Sequence, residues 1–174
     1  MAIISPIQND AYKTATFWKQ TRPVITQKFG LRPEVYKQFG MKGHNGVDMR
    51  CKVGTPIFAP MDGYVKVKDS KDEGYGLHIR IRNEFKALEC VLGHMSKVVV
   101  PNGHRVNMGD LIAYSGNSGF SSGPHLHMGL RVIIPGSQDI WSWKVLNASN
   151  GYFGYFDHLD TMLCFKGGFT KNSI

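Results

Sequence analysis

Between residues 24 and 132 the apolar positions fall in short runs separated by Gly, Pro, Asn and Asp, with no long stretch of helical period. Strict alternation is clearest in Leu77-His78-Ile79-Arg80-Ile81-Arg82, the pattern of a strand with one face buried. The pattern predicts strands over residues 63–68, 77–82, 87–92, 111–115 and 125–132. Turn signals at regular intervals, without helices between them, imply an all-β domain on an antiparallel sheet with minor short helices. One such helix is predicted over residues 31–39, where Pro33-Glu34 stands near the start and Gly40 follows the end. His78 shares a strand face with Arg80 and Arg82 and is read as solvated or at a groove edge. His104, after Asn102-Gly103, is expected in an exposed turn.

Composition sets the scale. A chain of 174 residues that is 42% hydrophobic supports one well-buried core and is short for two. The expected division is an extension over residues 1–22, a β domain over 23–134, and an aromatic extension over 135–174 packed on that domain. The last segment carries Trp141, Trp143, Tyr152, Phe153, Tyr155, Phe156, Phe165 and Phe169; with no Pro- or Ser-rich linker before it, packing is favoured over a separate glycan-binding module. A net charge of +8 points to an anionic partner such as a bacterial envelope. Nucleic acid is not expected, since no basic run exceeds two or three residues and no nucleic-acid fold signature is present. Cys51, Cys90 and Cys164 are odd in number and lack a CxxC spacing, so buried free thiols are expected rather than disulfides or a structural zinc cluster. No stretch reaches the roughly 20 apolar residues of a membrane span, and Met1 to Pro6 lacks the basic and apolar regions of a secretion signal. The expectation is a monomer made in a host cytoplasm, then released to the periplasm or cell wall or carried on a virion.

The candidate chemistry lies in two short strings. His44-Asn45-Gly46-Val47-Asp48 places a histidine and a carboxylate four residues apart. On a straight strand they would be roughly 13 Å apart at about 3.3 Å per residue, too far for one metal. Gly43, Gly46 and β-branched Val47 disfavour a helix, and Asn45-Gly46 is a turn signal. His44 is therefore placed before a tight turn and Asp48 at the start of the next strand. In the second string, Pro124-His125-Leu126-His127, the two histidines point to one strand face about 6–7 Å apart. A catalytic zinc takes three protein ligands and leaves one position open, which His44, Asp48 and one histidine of the pair would satisfy. His94 follows an apolar stretch and supplies a further imidazole. The Gly/Ser stretch 115–123 lacks the ending of a phosphate loop; it reads as a flexible wall of a peptide groove, with Asn117, Ser118 and Ser122 as groove candidates.

These strings resemble the lysostaphin/LytM-type zinc metallopeptidases, which cut peptide bonds in peptidoglycan. The resemblance runs in order from Pro23 to Val132. It takes in the segment from Val24 to Gly30, then Gly43-His44-Asn45-Gly46-Val47-Asp48, and Val53-Gly54-Thr55-Pro56 with Asp62-Gly63-Tyr64-Val65. Gly93-His94-Met95-Ser96, Ser115-Gly116-Asn117-Ser118-Gly119 and Gly123-Pro124-His125-Leu126-His127-Met128 complete it. Leu92 stands where the family commonly has Tyr, Met95 replaces its usual Leu, and the stretch 31–42 is longer than in the shortest members. The resemblance implies a β-sheet core like a duplicated hybrid motif. It implies one Zn2+ per chain on His44, Asp48 and His127, with His94 and His125 as catalytic residues flanking the activated water and the scissile carbonyl.

The function so implied is hydrolysis of peptide cross-links in bacterial peptidoglycan, in phage lysis or host penetration. Two other expectations stand beside it. One is a catalytically silent relative, a phage tail component or hydrolase activator; such relatives usually lack a ligand, and this chain lacks none. The other is a peptidase that cuts protein rather than wall peptides.

Overall fold

The computed structural model describes residues 5–7 and 23–158. Residues 1–4, 8–22 and 159–174, among them Cys164, Phe165 and Phe169, and what the sequence predicts of them lie outside the described residues. Twelve strands are assigned within them: β1 (Ile25–Gln27), β2 (Val47–Arg50), β3 (Pro56–Phe58), β4 (Gly63–Asp69), β5 (Leu77–Asn83), β6 (Leu88–Gly93), β7 (Met95–Val98), β8 (Arg105–Val106), β9 (Leu111–Ser115), β10 (His125–Ile134), β11 (Lys144–Val145) and β12 (Tyr155–Phe156). The larger sheet runs β1-β2-β10-β6-β5-β4-β8, with β11 and β12 also paired to β10, and a smaller sheet runs β3-β9-β7. Every pairing is antiparallel. The chain is thus all-β, as its apolar pattern predicts.

Alternation decides which face meets the core. Ile79 and Ile81 of β5, Leu92 of β6 and Met128 and Leu130 of β10 join Ile57, Ile112 and Ala113 of the smaller sheet in one apolar cluster. The smaller sheet is therefore stacked on one face of the larger. The opposite face of β5 carries His78, Arg80 and Arg82 and is not solvated, contrary to expectation: His78 is 2% and Arg82 5% exposed. Tyr75 lies against the His78 ring, and Glu89 and Trp141 cover Arg82. His104 is exposed, as read.

The predicted helix is shorter than its polar pattern. Pro33 fixes the first turn of α1 (Pro33–Tyr36), Arg32 before it is left-handed at φ 56°, and the chain tightens into a 3-10 turn over Lys37–Phe39 that Gly40 ends at φ 72°. Leu31 is outside the helix. Beyond β10 the chain turns back over the larger sheet: Tyr155 is buried, while Trp141, Trp143, Tyr152 and Phe156 are half-buried. Cys90 is a fully buried thiol and Cys51 a half-buried one, its proton held by burial. Among the described residues no helix is long and apolar enough to cross a membrane.

Candidate metal centre

Antiparallel pairing of β2 with β10 sets His127 directly opposite Asp48. The tight turn expected at Asn45-Gly46 is a bend at Gly46, and it brings His44 back over the same point. His44 Nε2 lies 2.9 Å from His127 Nδ1, and Asp48 Oδ1 is 3.0 Å from each. All three side chains are buried. Gly46 makes this approach possible, because a Cβ there would stand 2.5 Å from His127 Cε1 and 2.7 Å from its Nε2. His44 donates its Nδ1 proton to the Lys28 carbonyl at 3.1 Å, which leaves Nε2 bare and facing inward. Three donor atoms thus share at most the one proton of His127, and a divalent cation satisfies that excess of lone pairs. Two imidazoles and a carboxylate with one direction open form the donor set of a catalytic zinc centre. His44, Asp48 and His127 form the group of this kind found among the described residues.

The electrostatics follow from burial and proximity. Burial pulls the Asp48 carboxyl upward, but the close His127 and His44 rings outweigh it and hold the group well below the usual carboxylate range. Burial lowers His127 to about 3 against the opposing Asp48. The His127 imidazole therefore stays neutral, the form that binds metal.

His94 and His125 stand beside this centre, with ring centroids 4.5 Å apart. His94 sits between β6 and β7 in the left-handed region at φ 64°, a conformation the surrounding structure must hold for a non-glycine residue. Its Nδ1 donates to the Ser118 carbonyl at 2.7 Å. The Nδ1 of His125 donates to the Gly123 carbonyl at 2.8 Å, with Ser121 Oγ at 3.2 Å. In both rings the proton is fixed on Nδ1 and Nε2 is free to accept. His125 Nε2 lies 3.6 Å from Asp48 Oδ2, so it faces the metal centre. Burial, and then His125, push His94 down to about 4.

A cavity of about 620 Å³ opens over these five residues. It is lined by Arg32, Val35, Tyr36 and Phe39 in and around α1, by residues 119–122, Asp72 and Gly74, and by Phe153, with the Phe39 and Phe120 rings 5.1 Å apart.

Residues 42–142 match Peptidase family M23. The chain belongs to that family. An uncharacterized metalloprotease of Haemophilus influenzae is 35% identical over 122 residues, 70% of this chain and 23% of that protein. The peptidoglycan DD-endopeptidase ShyA of Vibrio cholerae is 37% identical over 90 residues, 51% of this chain and 20% of that protein. The chain thus spans a quarter or less of the length of these curated relatives. Among solved structures, the catalytic domain of the prophage-encoded M23 protein EnpA from Enterococcus faecalis superposes with a TM-score of 0.56 at 32% identity, covering 75% of this chain and 92% of that one.

In this M23 chain the five histidine and aspartate positions named from the sequence come together at one cavity floor. The groove candidates divide. Ser122 lines the cavity, whereas Ser118 is committed elsewhere: its carbonyl holds His94, and its hydroxyl donates to Met95 O at 2.8 Å and accepts from Leu77 N. Asn117 accepts from Ser121 Oγ at 2.7 Å. The stretch 115–123 is therefore a hydrogen-bonded wall rather than a loose one. His158 is buried with Nδ1 donating to Phe156 O. Sequence reasoning missed Tyr36. Its ring lies 5.2 Å from that of His44, its hydroxyl accepts from Gln27 Nε2 at 2.7 Å, and burial with the Asp48 charge raises its phenol to about 12. The Pro33-Glu34 helix signal was the available clue, since it set this turn just before His44 in the chain.

Proposed function

We propose that this M23 metallopeptidase is a zinc endopeptidase that hydrolyses peptide cross-links of bacterial peptidoglycan, with one Zn2+ held by His44, Asp48 and His127. The observation that carries the reading is the meeting of three donor atoms within 3.0 Å beside two imidazoles whose Nε2 atoms are free. The similarity to ShyA, named a peptidoglycan DD-endopeptidase, supports the substrate. The similarity to prophage-encoded EnpA supports a phage role, in lysis or host penetration, with the enzyme reaching the wall from a host cytoplasm or on a virion. The charge of +8 favours attraction to the anionic envelope, and one chain contains all five residues, so the site needs no second copy to complete it.

When bound, the metal would supply Lewis acidity that polarises a peptide carbonyl and makes water more acidic. The chain's residues do the rest. His94 and His125 are the catalytic residues: one free Nε2 takes the proton of the attacking water and passes it to the leaving amine. While that ring carries the proton it donates to the tetrahedral oxyanion, and the free Nε2 of the other ring accepts a hydrogen bond from the attacking water and orients it. The Ser118 and Gly123 carbonyls keep both rings in the tautomer and orientation this requires. Asp48 stays ionised throughout, and the walls around Tyr36 and Phe120 exclude bulk water from the floor of the cavity.

The test is release of new amino groups from purified peptidoglycan, with a chelator and with zinc added back, beside a generic protein substrate. Release that stops on chelation and returns with zinc is expected. A zinc-loaded protein that releases none from walls of several cross-link types overturns the reading in favour of a silent structural or regulatory relative.

A further inference from the structure

Tyr75 contacts His127, His94 and Asn45 without entering the donor set. It sits between Gly74 and Gly76, both left-handed at φ 48° and 58°. That double twist turns the side chain inward, and its ring centroid lies 5.0 Å from that of His127 at 34° between planes. The Tyr75 carbonyl accepts from His94 N at 2.8 Å, which helps hold His94 in its left-handed conformation. Its hydroxyl accepts a hydrogen bond from Asn45 Nδ2 at 2.5 Å. Asn45 is itself 3% exposed and stands in the turn between His44 and Asp48. The neighbouring Gly93 leaves room for this arrangement, since a Cβ there would meet Tyr75 Cβ at 3.3 Å.

We propose that Asn45 and Tyr75 act together as positioning residues for the metal centre, the Tyr75 ring seating the His127 imidazole and the Asn45–Tyr75 hydrogen bond fixing the His44–Asp48 turn against it. His44 and Asp48 come from one side of the β2–β10 ladder and His127 from the other. The turn holding the first two is polar and short, so the Lys28 carbonyl and the Tyr75 hydroxyl are its side-chain anchors. Groups that orient metal ligands from outside the donor set are worth about 10–100-fold in metal affinity. The inference rests on the metallopeptidase reading above.

The experiment compares Tyr75→Phe, Asn45→Ala and the double variant with the parent protein, reading zinc affinity by chelator competition and the absorption spectrum after cobalt substitution. Thermal unfolding of the metal-free proteins is measured alongside. Both single variants remove the Asn45–Tyr75 hydrogen bond, and Tyr75→Phe also removes the contact with the Tyr155 hydroxyl; each is expected to weaken zinc binding about tenfold or more and alter the cobalt spectrum. The double variant should lose no more than the weaker single, the signature of two residues acting as one unit. Tyr75→Leu, which also removes the ring behind His127, should lose more than Tyr75→Phe. Single variants that bind zinc as the parent does, with only the unfolding temperature lowered, overturn the inference and leave a purely structural role. Losses that multiply in the double variant overturn it as well. A parent chain that binds no zinc would overturn the metallopeptidase reading itself, and this inference with it.

Discussion

At the residue scale the two strings around His44 and His125 were legible because both are local. A turn signal fixes one, and strand alternation fixes the other. What was hidden is which residues stand behind them: Tyr36, Tyr75 and the carbonyls of Lys28, Ser118 and Gly123 carry no side-chain signature of a metal site. The division of labour can be tested directly. His44→Ala and Asp48→Ala each remove a donor atom and should abolish both zinc content and cleavage. His125→Ala should keep zinc while turnover falls by about 10²–10⁴-fold, the usual worth of a positioned proton-transfer group. A His125→Ala protein with full turnover would remove that residue from the mechanism. The buried imidazoles also set a pH dependence. In the folded, metal-free protein His94 titrates at about 4 instead of 6.5, so between those values the unfolded chain binds a proton that the native one does not. Stability is therefore complete above about pH 6.5 and falls as the pH drops towards 4, by about 3 kcal/mol from His94 alone. Burial displaces His78 and His158 in the same direction. Denaturant unfolding of the chelated protein at pH 7 and pH 4.5 reads this loss, and equal midpoints would contradict it.

At the level of elements, boundaries were legible where turn residues punctuate them. The strand predicted over 111–115 is β9 as found, and that over 77–82 is β5 less one residue. The misreading of His78 has a specific cause. Alternation shows that two faces differ, but not that the second face is later covered by a loop at Tyr75 and by residues beyond β10. The turn before β2 was read from Asn45-Gly46, but the need for glycine there became visible only with β10 in place. Gly46 has an ordinary backbone; what it lacks is space, since the His127 ring and the Met128 carbonyl occupy the position of a side chain. Gly46→Ala should therefore push His127 off Asp48. The expected result is a destabilisation of about 1–3 kcal/mol, as for an overpacked core, together with lost zinc affinity. Calorimetry and metal analysis of the purified variant decide it, and wild-type zinc binding would show that the turn relaxes without disturbing the donor set.

At the scale of the whole molecule, the larger sheet is held on its outer face by one carboxylate among three guanidiniums. Glu89 of β6 is fully buried. It accepts from Arg82 Nε at 2.5 Å and from Arg131 Nε at 2.8 Å, with Arg80 at 3.3 Å. Burial alone would raise its carboxyl, but the three arginines hold it below the usual value, so it stays charged. The same guanidiniums reach the chain that follows β10: Arg82 donates to the carbonyls of Ile140 and Trp143, and Arg131 to that of Phe153. The sequence marks the aromatic residues there but not their ionic fastening, because Glu89 and Arg131 are 42 positions apart and meet only through the β6–β10 ladder. Phe153, so fastened, lines the cavity, which ties the groove to a cluster outside it. Removing the central charge leaves three buried or half-buried cations facing one another. Glu89→Gln should cost about 3–5 kcal/mol, the worth of breaking a buried ion pair from one side. A lower denaturant midpoint with zinc affinity unchanged in the folded protein is expected, since no metal ligand touches Glu89. A midpoint equal to the parent's would mean that the arginines are satisfied by carbonyls and solvent, and that the segment beyond β10 is held by its aromatic packing alone.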